Sequence, residues 1–217
     1  MKTPQNISNT DCVRKHYDAL IDEIDDPQEW KVVDPAHDAT PLKAYMNKWD
    51  GDIFLAELQL TPEKSVLEIG VGTGRLALRV CGKCKSFTGI DLSPKTAARA
   101  AENMREYPNV HLICGDYLNH DFAETFDVIY SSLTFMHIQN KDAAIQKTAA
   151  LLNPGGRFVL SIDKNPQTEI DYGTRKVPVY PDTAQEISAY ITNAGLTIEK
   201  EAETEFAMIF AAVKRPL

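Results

Sequence analysis

No lysine- or arginine-rich run occurs in the 217 residues, and acidic residues outnumber basic ones, 31 to 23, for a net charge of −8. A protein that grips a nucleic-acid backbone displays a basic footprint, so a polynucleotide substrate is disfavoured. Long apolar stretches are also missing. The longest uninterrupted one, 206–213, falls far short of the ~20 residues that cross a bilayer as a helix. The start, Met1-Lys2-Thr3-Pro4-Gln5-Asn6, lacks the apolar core of a secretory signal. The expectation is a cytoplasmic protein with neither a membrane nor a nucleic acid as partner. Cysteine is scarce: Cys12, Cys81, Cys84 and Cys114 are all there is. Cys81-Gly-Lys-Cys84 has the CxxC spacing of a redox pair or half a zinc site. No second CxxC or HxxxH completes a tetrahedral set. A redox CxxC normally opens a helix, where the dipole lowers the thiol pKa, whereas this pair falls where a helix ends and a strand begins. Structural thiols and no metal are expected. Internal repeats and low-complexity tracts are absent too.

What is present is an ordinary globular balance, 43% hydrophobic and 25% charged, long enough for one α/β domain plus an appendage. Before residue 60 the pattern is helical. Val13, Tyr17, Leu20, Ile21 and Ile24 recur at the spacing of one helix face. Thr40-Pro41 offers a cap and first-turn proline for a second stripe of Leu42, Tyr45, Met46 and Trp49. From Ser65 strands and helices alternate. Strands are expected at 65–70, 86–92, 110–114, 126–131, 157–162, 196–202 and 206–214. Helices are expected at 75–81, from Ser93-Pro94 to about 106, at 143–152 before the breakers Asn153-Pro154-Gly155-Gly156, and after a capping box of Asp182 with Gln185. This alternation implies a doubly wound, mostly parallel α/β sheet with helices on both faces. The last two strands have only Glu203-Thr204-Glu205 between them, too little for a parallel crossover, so as neighbours they must pair antiparallel. The expected division is 1–60, a helical lid, and 61–217, a ligand-binding sheet domain.

In such sheets ligands bind beyond the carboxyl ends of the strands, so the residues there matter most. The first strand runs into Glu68-Ile69-Gly70-Val71-Gly72-Thr73-Gly74-Arg75. Glycines let the backbone turn sharply and approach a ligand closely. The dinucleotide fingerprint is GxGxxG; here the spacing is GxGxG with Arg75 where that fingerprint wants glycine, which counts against NAD. The second strand ends at Asp91-Leu92, and a carboxylate there can accept both hydroxyls of a ribose. The third ends in Gly115-Asp116-Tyr117, where a second carboxylate can accept the amino group of adenine. Read blandly, the two aspartates are surface acids or caps.

Together, Val66-Leu67-Glu68-Ile69-Gly70-Val71-Gly72-Thr73-Gly74 resembles motif I of the class I S-adenosylmethionine-dependent methyltransferases. Gly89-Ile90-Asp91-Leu92-Ser93 is similar to their second motif, Gly115-Asp116 to the third, and 126–131 to the fourth strand. Leu152 to Phe158 is similar to the turn into the fifth, with Asn153 where lysine is common. The resemblance spans about 60–215. It implies a seven-stranded sheet with an antiparallel last strand, and S-adenosylmethionine as cofactor. It implies that Gly70, Val71, Gly72 and Gly74 wall the methionine part, that Asp91 and Leu92 hold the ribose, and that Asp116 and Tyr117 hold the adenine. Ser131 would lie by the methionine amine. Glu68 would steady the loop or the cofactor's amino end, or serve structure alone.

A sulfonium is already a strong electrophile, so alignment and exclusion of water are the main tasks, and a general base is needed only for an acceptor that must lose a proton. His137, after the fourth strand, is the candidate base; the alternative is a histidine at a helix start with no chemistry. Tyr17, Trp30, Tyr45 and Trp49, with Tyr172, Arg175 and Tyr180 from the long segment 163–181, are candidates for lining an acceptor pocket or for ordinary packing. Tyr17 over the cofactor could contact the sulfonium by cation–π attraction. Methyl transfer to a small molecule leads; an NAD-dependent oxidoreductase and a non-catalytic binding protein of the same fold are the alternatives.

Overall fold

The computed structural model describes residues 9–22 and 44–216. Seven strands form one sheet in the order β3-β2-β1-β4-β5-β9-β8. These are β1 (Ser65–Ile69), β2 (Ser86–Asp91), β3 (Val110–Cys114), β4 (Phe126–Ser132), β5 (Leu152–Asp163), β8 (Thr197–Glu203) and β9 (Ala207–Val213). The first five are parallel; β9 runs antiparallel to both β5 and β8, as the short 203–205 link requires. The chain moves outward from β1 to β3, then returns to place β4 on the other side of β1. That reversal makes the carboxyl ends of β1 and β4 the switch point where a ligand crevice belongs.

Alternate side chains divide the core between two faces. Leu67, Ile69, Ile129, Phe158 and Leu160 pack beneath α5 (Lys141–Leu151) and α6 (Ala184–Asn193). Val66, Phe87, Val128, Tyr130 and Val159 pack against α2 (Gly51–Glu57), α3 (Ala77–Val80) and α4 (Pro94–Asn103). Phe54 and Leu58 are fully buried in this second layer. Among the described residues before 61, α2 belongs to the core, while α1 (Asn9–Asp22) lies elsewhere. Ile24, Trp30, the Thr40-Pro41 cap and Leu42 fall outside the described residues.

Two local expectations are corrected. The Asn153–Gly156 breakers do not separate helix from strand, because β5 already starts at Leu152. They form an irregularity in the ladder, where β4 pairing shifts from Phe126↔Leu152 to Val128↔Arg157; Gly155 and Gly156 are held by backbone bonds to Lys214. The capping box of α6 is Thr183 with Glu186, one residue later than Asp182 with Gln185. Asp182 instead pairs with buried Lys141 (2.5 Å). Within the long segment 163–181, β6 (Glu169–Asp171) and β7 (Lys176–Pro178) make a small antiparallel hairpin.

Candidate active site

The loop after β1 turns through three glycines of positive φ, Gly70 (77°), Gly72 (57°) and Gly74 (95°). They are glycines for different reasons. A Cβ on Gly70 would fall 2.0 Å from Thr134 Oγ1, because the loop after β4 presses on it. One on Gly74 would crowd Met104 at 3.3 Å. One on Gly72 would meet nothing within 4 Å, and the same holds at Gly115. Gly72 and Gly115 therefore offer bare backbone to open space at the carboxyl ends of β1 and β3, the geometry a ligand needs for close approach. The loop after β4 is itself unusual: Leu133 has φ 58°, a conformation that costs a non-glycine residue ~1–2 kcal/mol.

Asp91 ends β2 beside this loop. Its Oδ2 accepts the Gly72 N–H and its Oδ1 the Ser93 N–H, both at 2.9 Å. Burial raises its pKa, and those two N–H groups oppose the rise. The carboxylate thus fixes the glycine loop and keeps further acceptor capacity at the crevice. Asp116 sits one strand over, where its oxygens accept from Leu118 N–H (2.9 Å) and Asn119 Nδ2 (2.6 Å). That is the bonding of a turn-forming aspartate.

Other expected site residues point away. Tyr117 is buried in the core under α5, its hydroxyl 2.9 Å from Thr148 Oγ1, so only its backbone faces the end of β3. Ser131 is fully buried and donates to the Ile69 carbonyl (2.8 Å), stapling β4 to β1. Glu68 is also buried and accepts the Tyr130 hydroxyl (2.8 Å). Desolvation pushes its pKa up to about 8, with the Tyr130 bond and the Arg75 charge opposing. Val71 is buried against Gly89, and Leu92 is partly exposed at the crevice.

Helix α1 lies across this end of the sheet. Tyr17 Oη is 2.9 Å from His137 Nε2. Asp18 accepts from Ser93 Oγ at 2.7 Å, and Lys95 pairs with Asp22 at 2.5 Å. On its other flank, His16 packs on Tyr172 (centroids 4.2 Å) and accepts from Arg175 Nε (2.8 Å). Burial lowers the His137 pKa to about 4, with the Pro178 carbonyl opposing and Lys141 adding to the fall. Burial also pushes the Tyr17 hydroxyl far up, so the pair is neutral and shares one hydrogen. A base of that strength is a weak one at neutral pH, which weighs against the catalytic role expected for His137. A small cavity of about 20 Å³, room for about one water, is bounded by Met136, Lys141, Ile162, Asp163, Ile170 and Tyr180. Tyr45 and Trp49 stack with each other and on Phe206 (5.1, 5.9 and 4.6 Å), away from Tyr17.

Three polar residues at this end have no recognisable sequence signal. Asp50, Arg75 and Ser132 meet in one cluster, although they lie far apart in the chain and in no shared motif. The CxxC thiols are free and buried at the turn between α3 and β2. No group of three or more metal-binding side chains occurs among the described residues, and none of their helices is long and apolar enough to cross a membrane.

Residues 66–156 match the family described as "Methyltransferase domain". The chain is 37% identical over 99 residues to an uncharacterized methyltransferase of Bacillus cytotoxicus, which covers 45% of this chain and 46% of that protein. It is 33% identical over 84 residues to a probable ribosomal RNA small subunit methyltransferase A of Methanosarcina mazei, covering 39% and 31%. The chain thus spans less than half the length of either relative. In fold the likeness is more extensive. The N-methyltransferase NodS of Bradyrhizobium japonicum WM9, solved with S-adenosyl-L-homocysteine, superposes with a TM-score of 0.67 over 96% of this chain and 100% of its own, at 19% identity.

Proposed function

We propose that this protein uses S-adenosylmethionine to methylate a small molecule. The observation that carries the reading is Asp91: a half-buried carboxylate at the end of β2, bonded to the Gly72 amide, next to bare backbone that no side chain covers. In this reading Gly70, Val71, Gly72 and Gly74 wall the methionine part. Asp91 accepts from the ribose, and the backbone at Gly115 to Tyr117 with the Asp116 carboxylate borders the adenine. The cofactor supplies an electrophilic methyl group on a sulfonium. The chain's contribution is to bind, orient and exclude water. Helix α1, bridging Ser93, His137 and Arg175, closes the crevice from solvent as a lid, with Tyr17 over the cofactor side. His137 holds Tyr17 in place, and as a buried neutral imidazole it accepts a proton only from an acceptor made strongly acidic by the transfer. The net charge of −8 favours a small acceptor over RNA.

Calorimetry tests the cofactor directly. S-adenosylmethionine and its demethylated product should bind and NAD should not. Asp91→Ala, stripped of hydrogen bonds to a charged group worth ~1.5–3 kcal/mol each, should weaken binding at least tenfold. A folded Asp91→Ala of unchanged affinity, or tight NAD binding, sinks the assignment. Methyl incorporation from labelled cofactor into a metabolite panel, with structured RNA alongside, tests the acceptor class; label in RNA alone overturns it.

A further inference from the structure

Asp50 is a wholly buried carboxylate in the segment before the sheet. It gathers four donors. The Arg75 guanidinium bonds both its oxygens, Nη1 to Oδ1 at 3.1 Å and Nη2 to Oδ2. Ser132 Oγ donates to Oδ2 at 2.7 Å, and the Gly51 N–H to Oδ1 at 2.5 Å, capping α2. Arg75 directly follows the glycine loop. Ser132 ends β4 and leads into strained Leu133 and into Thr134, which presses on Gly70. One carboxylate therefore ties together the segments on both sides of the switch point. A carboxylate suits this task because it accepts a planar guanidinium through two oxygens and still has lone pairs for a hydroxyl and an amide.

A second buried ion pair provides a contrast. Arg157 donates to Glu57 (2.9 Å) and Glu199 (2.6 Å) at the opposite, amino-terminal end of β5. Lys200 also pairs with Glu57 (2.5 Å) and Glu199 is exposed, but this network touches no residue of the loop after β1 or of the loop after β4. Whatever a buried ion pair contributes to stability alone, both pairs contribute. Of the two, Asp50 alone joins the loop after β1 to the loop after β4.

We propose that Asp50 is a positioning residue: through Arg75 and Ser132 it holds the glycine loop and the loop after β4 at the separation that the cofactor's methionine end requires. The cofactor part of this statement rests on the reading given under Proposed function; the loop-holding part does not. Removing one partner of a buried pair leaves the other charge uncompensated, here with its freedom localised at the crevice.

The test compares Asp50→Asn and Ser132→Ala with Glu57→Gln in the full chain. Hydrogen exchange without ligand reads the loops. Asp50→Asn should raise exchange at both 70–76 and 132–135, and Glu57→Gln at neither. Calorimetry with S-adenosylmethionine reads the consequence: Asp50→Asn at least about tenfold weaker, Ser132→Ala about threefold weaker, Glu57→Gln unchanged at a similar loss of Tm. Because Ser132 acts through Asp50, the double variant should bind no worse than Asp50→Asn alone. If Asp50→Asn does not fold, Ser132→Ala, which removes one hydroxyl, decides by the same two readouts. Unchanged loop exchange, or equal effects from Glu57→Gln, overturns the proposal. Raised exchange at both loops in a chain whose wild type binds no cofactor overturns the functional reading instead, and leaves the clamp standing.

Discussion

The glycine loop and helix α1 border the same end of the sheet, yet they are held there by different means. Around the loop the contacts run backbone to backbone, to the Asp91 carboxylate, and from Asn103 Nδ2 to the Thr73 carbonyl (2.9 Å). Gly70 and Val71 donate to the Ile90 carbonyl (2.8 and 3.1 Å), Gly72 donates to Asp91, and Leu67, Ile69 and Ile90 are buried beneath. Helix α1 buries only Val13, His16 and Leu20 among its described residues. Its attachment is otherwise polar, through Tyr17 to His137, Asp18 to Ser93 and His16 to Arg175. Polar side-chain contacts contribute ~1 kcal/mol each, whereas a close-packed loop under apolar strands moves only with the core. Elements that must open are drawn from the weakly held end of such a range. The difference suits one half to shape a ligand site and the other to cover it.

The harshest way to break the loop half is Gly70→Ala. It combines a left-handed backbone with a contact of 2.0 Å to Thr134, so denaturant titration should show a loss above ~3 kcal/mol, or no folded protein. Gly72→Ala, with similar φ but open space, should cost only ~1 kcal/mol. Equal costs would show that the Thr134 contact does not matter.

The two halves should next separate by pH. Glu68, with a folded pKa of about 8 against 4.5 ordinarily, holds a proton in the folded state that the unfolded chain has released. Its contribution therefore falls as pH rises from about 4.5 to 8. His137, lowered to about 4 from 6.5, stays neutral in the folded state while the unfolded chain takes up a proton. Its contribution therefore falls as pH drops from about 6.5 to 4, by at most about 3.5 kcal/mol at ~1.4 per unit. Stability profiles should thus flatten on the alkaline side in Glu68→Gln and on the acid side in His137→Asn. Profiles parallel to wild type would refute these protonation states.

The mildest break is Tyr17→Phe, which removes one hydroxyl bonded to His137. About 1 kcal/mol of stability should be lost, and amide exchange should quicken over 9–22 while β1, β4 and β5 keep their protection. Faster exchange throughout the sheet would mean that α1 is part of the core after all.

The strand-helix alternation, the GxGxG turn and Asp91 were legible because each is local. A strand's apolar run, a glycine where φ must be positive and a carboxylate at a strand end all act through the few residues beside them. Even the antiparallel last pair followed from the length of the link at 203–205. Side-chain direction near strand ends was less legible. Ser131 and Tyr117 fall where the motif expects ligand contacts, but Ser131 staples two strands and Tyr117 fills the core. A bulge or turn reverses a side chain without changing the motif around it. The irregularity at Phe126 to Val128 and the one-residue slip of the α6 cap have the same origin, since neighbouring residues fit a period equally well until packing chooses.

By itself, then, the chain's sequence determined the sheet, its switch point and the loop that shapes the crevice, because hydrophobic period and backbone freedom are properties of short segments. Only the tertiary structure decided that α2 joins the core, that α1 crosses the crevice onto His137, and that Asp50 meets Arg75 and Ser132. Those contacts join residues 25 to 120 positions apart. Their partners are selected by which buried charges and donors must be satisfied once the sheet has closed, a condition that no local pattern encodes.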